Sequence, residues 1–266
     1  MISSQTTITK SHKKTTTIDN GIKVLGYSDV RKAAECLLES FQDDALARML
    51  VCHLPTEQQR RRCEILLYEA YLRQHIAKGL VLGQGESSDG FETVSIWSVP
   101  DSEERGLNSF PTLMEAGYGK LWNAIGEDGR EKVFHGMLPL LHDSCERIIN
   151  TDSRFKNKEI YTLVYVGSRQ SARGKGNLRK LFEYMFNNYI DQDDNSIAYL
   201  ESSSPTNIPI YERFGFRVVE NIMLGDNSID NAVEGRDYAI MNVMIRGVRG
   251  NDWTKDENTY SSRGKL

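Results

Sequence analysis

The sequence predicts a mixed α/β fold, a sheet with helices interleaved between its strands. Short runs rich in β-branched and aromatic residues alternate with longer segments whose apolar residues recur at helical spacing, in the order β-α-α-β-β-α-β-α-β-α-β-β. No internal repeat and no compositional break divides the chain, and its 266 residues suffice for one large domain with a substantial core. The expected organisation is a single domain over 21–246, flanked by polar tails at 1–20 and 247–266.

In chain order, residues 1–20 are Ser, Thr and Lys with almost nothing apolar to bury. Ile22–Tyr27 reads as a first strand, and Ser28 or Asp29 is placed to cap a helix carrying Val30, Ala33, Ala34, Leu37, Leu38 and Phe41. A second helix is expected over Asp43–His53, ended by Pro55, and Thr56 opens a long amphipathic one with Cys63, Leu66, Leu67, Ala70, Tyr71 and Ile76 on one face. Gly79–Gly83 and Phe91–Ser98, separated by a Gly/Ser/Asp turn, give a hairpin signal. Pro100–Gly106 is a polar loop, after which Phe110–Ile125 and Arg130–Ile149 are helical in pattern, with Pro139 a kink or break. Ser196–Ser202, Gly215–Glu220 and Arg236–Arg246 read as strands, the first two joined by a short helix over Pro205–Phe214. Past Gly247 a loose polar tail is expected.

The most informative stretch is Tyr161–Phe186. Thr162, Val164 and Val166 suit a strand, and Leu178, Leu181, Phe182, Met185 and Phe186 recur as on a helix, so Gly174 and Gly176 fall where that helix begins. Glycines let backbone approach a ligand, and the free N–H groups of a first helical turn favour an anion such as phosphate. The same residues also fit an ordinary strand-to-helix turn. A phosphate-binding loop of nucleotide hydrolases is excluded, because Gly174-Lys-Gly176 lacks the Lys-Ser/Thr pair.

Composition narrows the function classes. With 33 Lys+Arg against 37 Asp+Glu the net charge is -4, so no global basic field points to nucleic acid. Cys36, Cys52, Cys63 and Cys145 show no Cys-x-x-Cys spacing and read as reduced thiols, while His135 and His142 lack the ligand number of a metal site. No apolar run is long enough to span a membrane and no charged-apolar-small leader opens the chain. Cytoplasm is the default address, with the nucleus also open.

At this point a resemblance enters. Arg173-Gly-Lys-Gly-Asn-Leu178 resembles the Gln/Arg-x-x-Gly-x-Gly/Ala motif of the GNAT superfamily of N-acetyltransferases, and Tyr199–Phe216 resembles its downstream strand-helix-strand signature. The spacing, with Ile96–Ser102, is similar to that of the puromycin N-acetyltransferase-like branch, over roughly Phe91–Ile222. The resemblance implies a mostly antiparallel sheet of six to seven strands with helices on both faces, splayed at a cofactor cleft. It implies acetyl-CoA as cosubstrate and no metal. The backbone of Val166, Gly167 and Ser168 would pair with the pantetheine arm, and Arg173, Gly174, Lys175, Gly176, Asn177, Leu178 and Arg179 would surround the pyrophosphate. Leu178 stands where the motif has Gly or Ala, which puts cofactor affinity in question.

Acetyl transfer to an amine requires loss of an amine proton, stabilisation of the thioester oxyanion and protonation of the departing thiolate. The resemblance makes Tyr211 the general acid, a position that also suits a core aromatic. Glu201 is either the base, directly or through water, or a carboxylate holding an arginine or a loop. Asn207 either touches CoA or caps the short helix. No Gly-x-Ser-x-Gly elbow or motif cysteine asks for a covalent intermediate. The expected function is acetyl-CoA-dependent N-acetylation of a small-molecule primary amine. A protein or peptide acceptor, or a catalytically idle acetyl-CoA-binding module, are the alternatives. The expected partners are acetyl-CoA and the amine, with no nucleic acid and no membrane, and the oligomeric state is not legible.

Overall fold

The computed structural model describes residues 16–17 and 21–255. Its strands are β1 (Thr16–Thr17), β2 (Ile22–Val24), β3 (Leu80–Gln84), β4 (Thr93–Ser98), β5 (Glu159–Ser168), β6 (Ser196–Ser202), β7 (Phe216–Gly225) and β8 (Tyr238–Arg246). They form one sheet in the order β1-β2-β3-β4-β5-β6-β8-β7. Every neighbouring pair is antiparallel except β5 and β6. The fold class is therefore as expected: seven strands, edged by the two-residue β1.

The helices are α1 (Val30–Ser40), α2 (Ala45–Val51), α3 (Glu57–Lys78), α4 (Phe110–Ala116), α5 (Tyr118–Arg130), α6 (Leu138–Thr151), α7 (Asn177–Asn188) and α8 (Ile208–Glu212). Local chemistry sets several of their ends. The Asp44 carboxylate accepts the Ala47 N–H at 3.0 Å to start α2, and Thr56 with Gln59 forms a capping box at the start of α3. Asp29 does not cap α1 with its side chain. It accepts instead from the Gly26 N–H and the Lys23 ammonium, both at 2.9 Å, and the expected first strand stops at Val24.

The stretch expected as one helix over Phe110–Ile125 is two, because Gly117 takes φ 105° between α4 and α5. Pro139 does not break the chain. It sits in the first turn of α6, and Glu131–Met137 before it widens to a π-helix, which accommodates the missing N–H and the bulk of the ring.

One core packs α1, α2, α3, α5 and α6 against one face of the sheet through residues such as Leu37, Leu50, Leu72, Leu121 and Ile148. A second packs α7 and α8 against the other face through Leu181, Phe182, Met185 and Tyr211, with Trp97 and Leu200 from the strands. All four cysteines are free thiols, and among the described residues no helix is long and apolar enough to cross a membrane.

Of the two expected tails, residues 1–15, 18–20 and 256–266 lie outside the described residues, and the described parts are joined to the fold. Thr16 and Thr17, inside the segment assigned to a tail, pair with Val24 and Lys23. Beyond Gly247 the chain turns back onto the fold. The buried Trp253 indole donates to the Ile245 carbonyl at 3.0 Å, meets Phe155 edge-on at 5.2 Å and lies under the Arg154 guanidinium at 4.5 Å. One apolar residue among polar neighbours gave too weak a periodic signal to show this. Trp253→Ala is expected to lower unfolding free energy by about 3 kcal/mol, read by urea denaturation, since it empties a packed aromatic site. A loss below about 0.5 kcal/mol would mean that the segment is not docked.

Candidate active site

The site is built where the one parallel pair comes apart. β5 and β6 pair from Glu159↔Ser196 to Leu163↔Leu200 and then separate. Beyond that point Tyr165–Ser168 is paired only with β4, and Glu201 and Ser202 only with β8. Opposite β4 the register skips Val164, so β5 carries a bulge at the place where it leaves β6. An extra residue bends a strand and increases its twist, which supplies a local cause for the opening. A cavity of about 950 Å³ occupies it, reaching both faces of the sheet, from Tyr71 of α3 and Cys145 of α6 on one side to Asn207 and Tyr211 on the other.

At the C-terminal end of β5, Val166 borders the cavity, and Gly167 lies under α1. A Cβ on Gly167 would come within 2.7 Å of the Ser40 Cβ, so packing alone demands glycine there. The Ser168 hydroxyl is 3.0 Å from that of Thr93. The loop that follows has Arg173 extended and Gly174 and Gly176 at φ 81° and 78°. An added Cβ at either glycine would meet nothing within 4 Å, so these two serve backbone conformation and exposure rather than packing. α7 starts at Asn177, and the first N–H groups of any helix lack intrahelical partners. The dipole favours an anion at this end, where Arg173, Lys175 and Arg179 lie, Arg179 paired with Glu183 at 3.7 Å. The Leu178 side chain packs partly buried against the second core.

A residue that the sequence did not single out organises this loop. Glu92 accepts from the Lys175 ammonium at 2.6 Å and the Asn177 amide at 2.7 Å, and its main-chain carbonyl accepts the Arg169 N–H at 2.9 Å. Those bonds hold its carboxyl below the ordinary range, so it is an anion at neutral pH. It lies 83 residues from Lys175, and no local pattern could have linked them.

Glu201 lines the cavity, half-buried, on the same strand face as Tyr199. Burial pushes its carboxyl up from 4.5 to about 7, partly offset by the Tyr199 hydroxyl beside it. It forms no ion pair among the described residues, so holding an arginine is not its task here. Asn207 precedes α8 without capping it through its side chain, and it too borders the cavity. Tyr211 is 8 % exposed, meeting Phe182 and Phe216 edge-on, and its hydroxyl makes no hydrogen bond among the described residues. Burial raises its pKa, first by desolvation and further by Asp44, so the phenol keeps its proton at neutral pH.

Other groups on the wall are poor nucleophiles. Burial pushes the Cys145 thiol up to about 12. His75 is held neutral, pushed down to about 4 by burial, its Nδ1 2.8 Å from the Tyr71 carbonyl and its Nε2 3.1 Å from the Ser98 hydroxyl. Trp97 is fully buried, its indole donating to the Ser95 hydroxyl at 3.1 Å, so it faces no acceptor. Among the described residues no group of three or more His, Cys, Asp or Glu could hold a metal ion.

The splayed parallel pair, the glycine-started helix after one strand and the buried tyrosine beyond the other are the arrangement of an acyltransferase. Comparison with known proteins makes the family definite. No family model matches the chain. It is 34% identical over 196 residues to an uncharacterised N-acetyltransferase of Schizosaccharomyces pombe, covering 74% of each protein. Among solved structures it is similar to a histone acetyltransferase HPA2-related acetyltransferase of Corynebacterium glutamicum, at TM-score 0.52 and 19% identity over 85% of this chain and 95% of that one. It is also similar to arylalkylamine N-acetyltransferase 2 of Aedes aegypti, at TM-score 0.52 and 16% identity over 85% and 98%. The chain belongs to the GNAT superfamily of N-acetyltransferases and is an acyltransferase.

Proposed function

We propose that this chain transfers the acetyl group of acetyl-CoA to a primary amine of a small molecule, by direct attack and without an acetylated enzyme. The observation that carries this reading is the cavity at the splay, which brings Glu201, Asn207 and Tyr211 to one space although they lie on different elements. Acetyl-CoA supplies the activated thioester. Val166, Gly167 and Ser168 would align its pantetheine arm along the free edge of β5, and the loop from Arg173 to Arg179 would hold its pyrophosphate. Asn207 would contact the arm from the opposite side.

Glu201 takes a proton from the ammonium, leaving an amine whose lone pair attacks the thioester carbonyl. A main-chain N–H near Val166 donates to the oxygen that becomes negative. As the carbon–sulfur bond breaks, Tyr211 gives its proton to the thiolate and regains one from the nitrogen, which loses its second proton as the amide forms. The products are the amide and CoA thiol, with one proton released to solvent. The high thiol pKa of Cys145 supports transfer in one step.

Thiol release from acetyl-CoA, measured with a panel of small amines and short peptides, tests the reading. Release with small amines and none with peptides is the expected result, and binding without release from any acceptor would favour an acetyl-CoA-binding module. Glu92 gives a further prediction, because its anion neutralises Lys175 beside the proposed phosphate site. Glu92→Gln is expected to lower the Kd for acetyl-CoA about threefold in titration calorimetry, the size of a partly exposed charge pair. A raised Kd would make Glu92 a loop anchor first.

A further inference from the structure

We infer that the acceptor is a linear amine carrying a second positive charge remote from its reacting nitrogen. The inference rests on the acetyltransferase reading above and deepens it. It comes from how charge is distributed along the cavity. The cavity runs along β5, past Ile160, Thr162, Val164 and Tyr165. Glu201 sits just beyond the Leu163↔Leu200 pair, level with Val164. Ser98 pairs with Thr162, so the turn after β4 lies level with the start of β5. Five residues of strand separate Val164 from Glu159, or about 16 Å along the sheet.

That far end is acidic. Asp101, Glu103 and Glu104 of the turn and Glu159 of β5 line it there, Asp143 and Glu146 of α6 add to the same cavity wall, and Lys158 is the one lysine or arginine among the lining residues. Some of this charge is answered: Asp101 pairs with Arg105 at 3.0 Å, and Glu146 lies 3.8 Å from the His142 Nε2. Glu103, Glu104, Asp143 and Glu159 form no ion pair among the described residues. His142 also faces Glu103, which accepts from the Asn108 amide at 2.6 Å. A mouth of like charges concentrates cations and repels anions.

Between the two acidic ends the wall is aromatic. Tyr71 meets Tyr165 at 5.0 Å and Tyr118 at 5.9 Å, all three edge to face, and each ring borders the cavity. The Tyr118 hydroxyl is occupied, donating to Gln74 at 2.8 Å, and Gln74 in turn donates to Asn108 at 2.9 Å. Ring faces suit methylenes and ammonium groups alike. The order carboxylate, aromatic wall, carboxylates is the complement of ammonium, methylene chain, cation. A neutral or anionic acceptor would leave the far carboxylates unanswered.

The test compares a diaminooctane with the aminooctanol of the same length, so that only the remote charge differs. With acetyl-CoA saturating, kcat/KM for the diamine is expected to exceed that for the amino alcohol about tenfold, mainly through KM, with the gap shrinking as salt is raised. The combined variant Glu103→Gln, Glu104→Gln, Asp143→Asn should raise the diamine KM about tenfold more than that of the amino alcohol, with kcat following neither. Equal kcat/KM for the two amines, or an equal effect of the variant on both, overturns the inference and leaves the transferase intact. If no amine releases thiol, the transfer reading fails instead. Calorimetry of the two compounds then still reads the charge preference, and equal affinities overturn it.

Discussion

Tyr211→Phe is expected to lower kcat roughly a hundredfold, the lower end of what general acid catalysis contributes, while the Kd for acetyl-CoA stays within about twofold. The protein should fold as before. The ring packs edge-on against Phe182 and Phe216, and phenylalanine keeps those contacts. The hydroxyl has no hydrogen bond among the described residues, so its removal leaves no buried partner unsatisfied. What is lost is a proton held at neutral pH by burial and by the carboxylate of Asp44 nearby. Thiol release under saturating acetyl-CoA gives kcat, and titration calorimetry gives Kd. A variant that keeps wild-type kcat would move the thiolate's proton source to water. One that loses affinity as well would assign the hydroxyl to binding rather than to proton transfer.

Much of the framework was legible because local patterns and tertiary needs coincide. Thr56 with Gln59 announces α3, and the apolar run Ile197–Leu200 between polar residues gives β6 its bounds. Gly174 and Gly176 were found because positive φ at a helix start calls for glycine wherever it occurs. The contacts that arrange the site were not legible, since they join residues distant in sequence. Glu92 meets Lys175 and Asn177 only after the hairpin folds beside α7, and Ser203 donates to Asp44 across 159 positions. The bulge at Val164 leaves no sequence signature: Leu163–Val166 are the β-branched, aliphatic and aromatic types of any strand, and the extra residue is visible only against β4. The acidic mouth was hidden for a similar reason. Its carboxylates come from a turn, a helix and a strand end, and a net charge of -4 averages them away.

The pH dependence of activity should report Glu201. A base works only when deprotonated, so kcat/KM for an amine is expected to rise with pH through about 7 and then level off. Glu201→Gln should remove that inflection and lower kcat/KM by roughly a hundredfold to a thousandfold, since glutamine fills the same space without taking a proton. Stability should move the other way. The folded-state value, near 7, lies above the ordinary 4.5, so between those limits the folded state binds more protons than the unfolded one. Stability is then fullest below about 4.5 and falls as pH rises through 7, because the charged form is the one that burial penalises. Glu201→Gln, neutral throughout, should therefore be at least as stable as the native chain at pH 8 while far less active. Urea denaturation and thiol release on the same preparation separate the two effects. An inflection near 7 that survives in the variant would assign it to another group, and a variant both inactive and destabilised would make Glu201 a structural carboxylate.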